Sequence, residues 1–147
     1  MVRDIGLLVL RLAGLYLALG HGLDKVAGLA GGQSRFPEGL AGMGIPAPVL
    51  FAWAAALAEL VGGLAMTVGL FTRWAAAMAA FTMFVAAFGR HKAADHLLAW
   101  LGLVPASEES LKAWGNPELA LVYLLACAAV VLLGPGRYSI DARRGRK

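Results

Sequence analysis

A carboxylate, Glu59, stands near the middle of the stretch "AALAELVGGLAMTVGLFTR", residues 55–73, where nearly every other side chain is small or oily. An ionisable group in such company is costly to keep, and inside a membrane it reads first as a functional residue. Its chemistry would be proton transfer. A second set precedes it in the chain. Arg11, Gly14, Ala18, His21 and Lys25 fall on one helical stripe, a cationic and titratable wall suited to a pocket. Each residue also has a plainer reading. Glu59 lies about 16 Å from Pro48 and from Leu70, and Arg11 about 10 Å from Asp4, at the helical rise. A structural ion pair between Arg11 and Glu59 is therefore within reach. His21 at a headgroup boundary and a snorkelling Lys25 would be the plainer account of the other two. The residue types leave both accounts open.

Glu118 and His91 are expected near the same outer end and complete the candidate set. Glu118 follows Asn116-Pro117, where an acid at a helix start also complements the helix dipole. Tyr123 sits about 140° around the helix from Glu118, on a different wall. His91 and His96, without cysteine partners, do not form a metal-ligand pattern. Cys127 is the only cysteine, which rules out an internal disulfide and a CxxC redox pair. No Ser-His-Asp order or dinucleotide fingerprint occurs, and "GGQSRF" lacks the strand-then-helix context of a phosphate loop. Neither a metal nor a nucleotide is expected.

These residues need elements to position them, and composition says what kind. Of 147 residues, 60% are hydrophobic and 15% charged, against roughly 45–50% and about 25% in soluble domains. A water-soluble fold of this length could not hide so much apolar surface. Four segments approach the ~20 residues a spanning helix requires: about 5–23, 48–70, 73–90 and 117–133. The first reads as a span, since its apolar run is long and no small-residue cleavage site follows cleanly. The fold class expected is all-α, a membrane four-helix bundle with short amphipathic segments in the outer loops. Residues 1–141 form its single domain and 142–147 a basic tail.

Local signals agree with those boundaries. Pro46 and Pro48 precede the second span, Thr72 is placed to cap the third, and Asn116 the fourth. Gly134-Pro135-Gly136 stops the last helix. Ser107 and Gly115 bracket a short helix, "EESLKAW", and Trp100 and Trp114 suit interfacial depth. The rows Gly14/Ala18/Gly22, Ala54/Ala58/Gly62 and Ala75/Ala79 let helices approach closely. The net charge is +4. Arg3, Arg73, Arg137, Arg143, Arg144, Arg146 and Lys147 share one side, against Lys25, Arg35, Arg90, Lys92 and Lys112 on the other. Both termini are thus expected in the cytoplasm, beneath an inner membrane. The basic tail suits anionic lipid and calls for no nucleic acid.

Several ordered motifs resemble one family. "LRLAGLYLALGHGLDKVAG" looks like the opening of the DoxX family of small four-helix membrane proteins. "GIPAPVLFAWAAALAELVGGLAMTVGLFTR" resembles its second segment, with an acidic residue before Gly-Gly and a G-L-x-T-R turn. "LLGPGRYSID" is similar to its usual ending. The resemblance runs to Asp141 and highlights His21, Lys25, Glu59, Gly62, Gly63, Arg73 and Glu118. It implies a membrane subunit of a redox system, as in the membrane part of a thiosulfate:quinone oxidoreductase. This chain lacks a fused redox domain and a cysteine pair, so a partner would have to supply the redox centre.

The expectation that follows is a quinone-linked subunit serving a soluble redox partner. Glu59 and His21 would be catalytic, lining a cavity between spans one and two with Arg11 and Lys25, while Arg11, Lys25, Glu118 and His91 would bind substrate or quinone. The alternative, from another class, is a non-enzymatic membrane scaffold or a small-molecule transporter. Self-association is compatible with either.

Overall fold

The computed structural model describes residues 1–145, and everything within them is helix or connecting turn, without a strand. One continuous helix covers residues 2–30. It comprises α1 (Val2–Leu17), a wider π-helical turn (Ala18–Gly22) and α2 (Leu23–Ala30). The short helix α3 (Phe36–Gly42) follows. The second long helix joins α4 (Pro48–Leu57), a π turn (Ala58–Gly62) and α5 (Gly63–Val68). After a tight turn come α6 (Thr72–Phe84) and its π-helical end (Val85–Arg90). Two short helices, α7 (Ala93–Trp100) and α8 (Glu108–Trp114), lead to α9 (Glu118–Leu133), and α10 (Ile140–Arg144) closes the described chain.

Two of these helices are long and apolar enough to cross a membrane, Pro48–Val68 and Thr72–Arg90. A third is added if α8 and α9 count as one span bent by 45°. The helix of residues 2–30 is apolar between its charges at Arg3, Asp4, Arg11, Asp24 and Lys25. It runs a full two turns beyond the expected end at residue 23, so Lys25 belongs to a helix and not to a loop.

Packing follows small side chains. α6 lies along α9, α1 along both α5 and α9, and the two π turns of the first and second long helices face each other. The core is correspondingly fine-grained: Leu17, Met66, Ala75, Ala76, Ala79, Met83, Tyr123, Cys127 and Val130. Cys127 is a buried filler, with no disulfide. The expected rows Gly14/Ala18/Gly22 and Ala75/Ala79 are buried. On the second helix Ala58 and Gly62 of the expected row are buried but Ala54 faces outward, and the buried face also takes in Ala52, Ala56, Glu59, Gly63 and Met66. Glu59 therefore occupies a core position of its helix.

The first two helices touch backbone to backbone. A methyl group added at Gly14 would fall 2.5 Å from the Gly63 carbonyl oxygen, and one at Gly22 would fall 2.5 Å from the Leu60 amide nitrogen. Only glycine fits at either position. Gly22→Ala should therefore cost about 1–3 kcal/mol through forced separation of the helices. Gly6→Ala, where nothing lies within 4 Å, should be neutral or slightly stabilising. Thermal unfolding of the two variants in one detergent tests this; equal melting temperatures would refute it.

Candidate functional site

The site begins at the helix contact just described. Gly22 admits the Glu59–Leu60 backbone, and one turn further along Lys25 leans back over the second helix. Its Nζ donates to Glu59 Oε1 at 2.5 Å. Glu59 is 1% exposed and Lys25 26%, so the pair is closed on one side and reachable on the other. The other carboxylate oxygen, Oε2, is buried with no hydrogen-bond partner. The Phe36 ring, brought over by α3, lies 4.8 Å from the Lys25 ammonium in a cation–π contact. His21, in the first π turn, meets the Tyr123 ring of α9 edge-on at 5.8 Å. π turns widen a helix locally and re-aim its side chains, and they concentrate at functional positions. Here two of them bracket a buried charge pair.

Arg11 is not part of this cluster, and the ion pair expected between Arg11 and Glu59 does not form. Helical side chains lean toward the N-terminus of their own helix. Arg11, already nearer that end than Glu59, is carried away from it. Lys25, beyond Glu59, is carried toward it. Arg11 is buried at 1% exposure, yet its partners are backbone. Nη1 donates to the Pro135 carbonyl at 2.6 Å and Nη2 to that of Tyr138 at 2.9 Å. A planar guanidinium with several donors suits two carbonyls on one turn.

That turn begins a latch across the opposite end of the bundle. Ser139, 1% exposed, caps α10 by accepting from the Ala142 amide, and the Asp141 amide donates to the Gly69 carbonyl. The Asp141 carboxylate accepts from the amides of Phe71 and Thr72 and from the Thr72 hydroxyl. Thr72 was expected to cap α6 itself. Instead its hydroxyl donates to Asp141, which supplies the cap from a distant part of the chain. Burial pushes the Asp141 carboxyl upward. The hydrogen bonds from Thr72 and Phe71, with Arg144 nearby, outweigh it and hold the group below its ordinary 3.8.

His91 and Glu118 sit apart from the Lys25–Glu59 pair by their contacts. His91 Nδ1 lies 3.3 Å from the Trp114 carbonyl, and His96 Nε2 lies 2.8 Å from that of Gly115. With Trp114 edge-on to His96 at 5.5 Å, the two histidines brace the α8–α9 bend. Glu118 is exposed, its amide bonded to Asn116 Oδ1 as the capping reading requires. It stands at the rim of an open cleft of about 740 Å³, among Trp100, Glu108 and Lys112. Among the described residues, no three His, Cys, Asp or Glu side chains gather as a metal-ligand set.

The six singled-out residues thus divide three ways: Lys25, Glu59 and His21 around the helix crossing, Arg11 in the latch, His91 and Glu118 where α8 meets α9, only Glu118 of these two lining the cleft. Sequence reasoning missed Phe36 and Asp141, and for neither did residue type announce a role. Tyr123 carried a usable signal, since an inward wall opposite the exposed Glu118 is where it lies.

The outside of the molecule inverts the soluble pattern. Leu12, Tyr16, Phe51, Trp74, Phe81, Leu125 and Leu132 are exposed, while Arg11 and Glu59 are inside. Continuous apolar surface around buried charge is what lipid demands. The sequence profile of DoxX matches residues 6–92. The chain belongs to the DoxX family. No curated protein and no solved structure matches it. This DoxX protein is a membrane protein, and the matched region holds the Lys25–Glu59 pair, His21 and Phe36.

The latch yields a pH expectation. A carboxyl held below its ordinary value stabilises the fold fully above that value, and the contribution fades as pH falls through the depressed one. Amide protection at residues 69–73 and 139–144, taken relative to the intrinsic exchange rate at each pH, should therefore fall below about pH 4. Asp141→Asn should show the lower protection already at neutral pH, with a loss of about 1 kcal/mol typical of a missing cap. Unchanged exchange in Asp141→Asn would remove the carboxylate from the account.

Proposed function

We propose that this DoxX protein is the membrane subunit of a redox system, crossing the membrane four times and moving protons to or from a quinone for a partner oxidoreductase. The observation that carries this is the buried Lys25–Glu59 pair with one carboxylate oxygen left unpartnered. Breaking such a pair in low dielectric costs about 3–5 kcal/mol. A carboxylate kept there with spare hydrogen-bonding capacity is poised to accept a proton.

The residues present suit a quinone head group: an ammonium that remains partly exposed and a carboxylate oxygen without a partner. A quinone, when bound, supplies the electron acceptor and takes up two protons on reduction. Lys25 and Glu59 would hold it, with His21 one turn before Lys25 on the first helix. Proton movement by the chain's own groups is then simple. Lys25 gives an ammonium proton to Glu59 and is reprotonated from its exposed side, and the restored ammonium offsets negative charge developing nearby. The Phe36 ring lies over the Lys25 ammonium at 4.8 Å and leaves it partly exposed. Four crossings put residues 2–30 in the bilayer as the first span, with the Lys25 end facing outward and the latch end toward the cytoplasm, following the arginine bias.

The direct contact at Gly14, Gly22 and Gly63 favours a second reading, a scaffold in which the ion pair only fixes the register of two helices. The readings separate by double substitution. In proteoliposomes with added quinone and a reductant-bearing partner fraction, Glu59→Gln should lower quinol formation at least about tenfold, while Lys112→Ala should not. Lys25→Met with Glu59→Met should restore stability, since an apolar pair replaces a buried ion pair at little cost, but should leave quinol formation lost. Recovery of full function in the double variant would establish the scaffold instead. Absence of quinone binding, together with an unaltered Glu59→Gln phenotype in cells, would end the redox reading.

A further inference from the structure

At the latch end, arginines outnumber acids, and Asp4 and Asp141 already face Arg137 and Arg144. Arg3 Nη2 donates to the Leu133 carbonyl at 3.3 Å. The Arg73 guanidinium lies against Gly134, 3.2 Å from where a side chain there would start. Two guanidinium groups thus converge on the last residues of α9. The C-terminus of a helix offers only about half a negative charge, less than two cations require. Arg137 follows on the same turn, its guanidinium 5.7 Å from the Tyr138 ring. Arg143 and Arg144 stand on α10, and all five arginines are exposed.

The acids of this face are already engaged. Asp4 accepts from the Arg137 amide and pairs with the terminal ammonium. Asp141 is committed to the start of α6. Around the arginines runs an apolar and aromatic rim: Phe71, Trp74, Leu132 and Tyr138, exposed by 66%, 76%, 78% and 46%. Cations backed by such a rim match a phosphate whose molecule continues into acyl chains.

We propose that this end binds an anionic phospholipid, its phosphate held between Arg3 and Arg73 at the end of α9. Arginine suits the task because its planar fork binds phosphate oxygens in pairs. The rim residues lie against the chains. Arg143 and Arg144 add attraction from the latch helix. This site is independent of the Lys25–Glu59 pair, which lies toward the other end of the first helix.

The test reconstitutes the full chain in nanodiscs of phosphatidylcholine with one tenth phosphatidylglycerol, and measures by native mass spectrometry the lipid retained after mild stripping. Phosphatidylglycerol should be retained at about five times its bulk fraction, the effect expected of a single well-placed cation. Arg3→Gln with Arg73→Gln should bring retention to the bulk fraction, while Lys112→Gln keeps the enrichment. If the double variant is not recovered folded, the wild type alone decides. Enrichment that disappears in high salt supports the site, since screening shortens the reach of exposed charges. Retention at the bulk fraction in low salt overturns it. Equal enrichment in wild type and double variant also overturns it, as does capture of an acidic protein by this face without lipid preference.

Discussion

Everything at the centre of this molecule depends on two helices meeting without side chains between them. Where Gly14 faces Gly63 and Gly22 faces Leu60, the backbones are as close as helices can come. Glu59 is one residue before Leu60, and Lys25 three after Gly22, so the crossing sets where carboxylate and ammonium meet. Lipid adds the second half of the constraint. With no water to take up stray charge, an acid at this depth needs a companion, and the crossing delivers one. The π turns on both helices are part of the same arrangement. They let each helix give up its regular winding opposite the other's closest approach.

Much of the fold was legible because lipid makes hydropathy blunt. The helices at Pro48–Val68 and Thr72–Arg90 begin at or within one residue of where proline and the turn at Phe71 place them. Gly115 and Gly134 end helices at positive φ, as glycine after an apolar run suggests. The small-residue row on the first helix also emerged intact. The row on the second lost only Ala54, and the reason is local. Ala58 and Gly62 are buried, but the buried face is broader than one row and also steps by four and three through Ala52, Ala56, Glu59, Gly63 and Met66. Alanine is so common in this helix that it cannot mark a face.

The candidate site was half legible. Residue types identified Glu59 and Lys25 as unusual and placed Arg11 on the same stripe as Lys25. Spacing alone could not choose the partner of Glu59, since cations stand on both sides of it along the helix. The decision comes from the backward lean of helical side chains, a matter of chain direction. Asp141 was invisible for another reason. Its role is to cap a helix that begins 69 residues earlier, and no window of sequence contains both ends of that relation. The cleft beside Glu118 likewise depends on the bend between α8 and α9, which hydropathy does not encode.

The bond between Arg11 and the carbonyls of Pro135 and Tyr138 spans 124 and 127 residues. During synthesis, the first helix is therefore made carrying a guanidinium whose two acceptors are added 124 and 127 residues later. Until the closing turn is made, that cation is without these two acceptors. Sealing the Arg11 side chain inside the molecule therefore waits on the turn that follows α9.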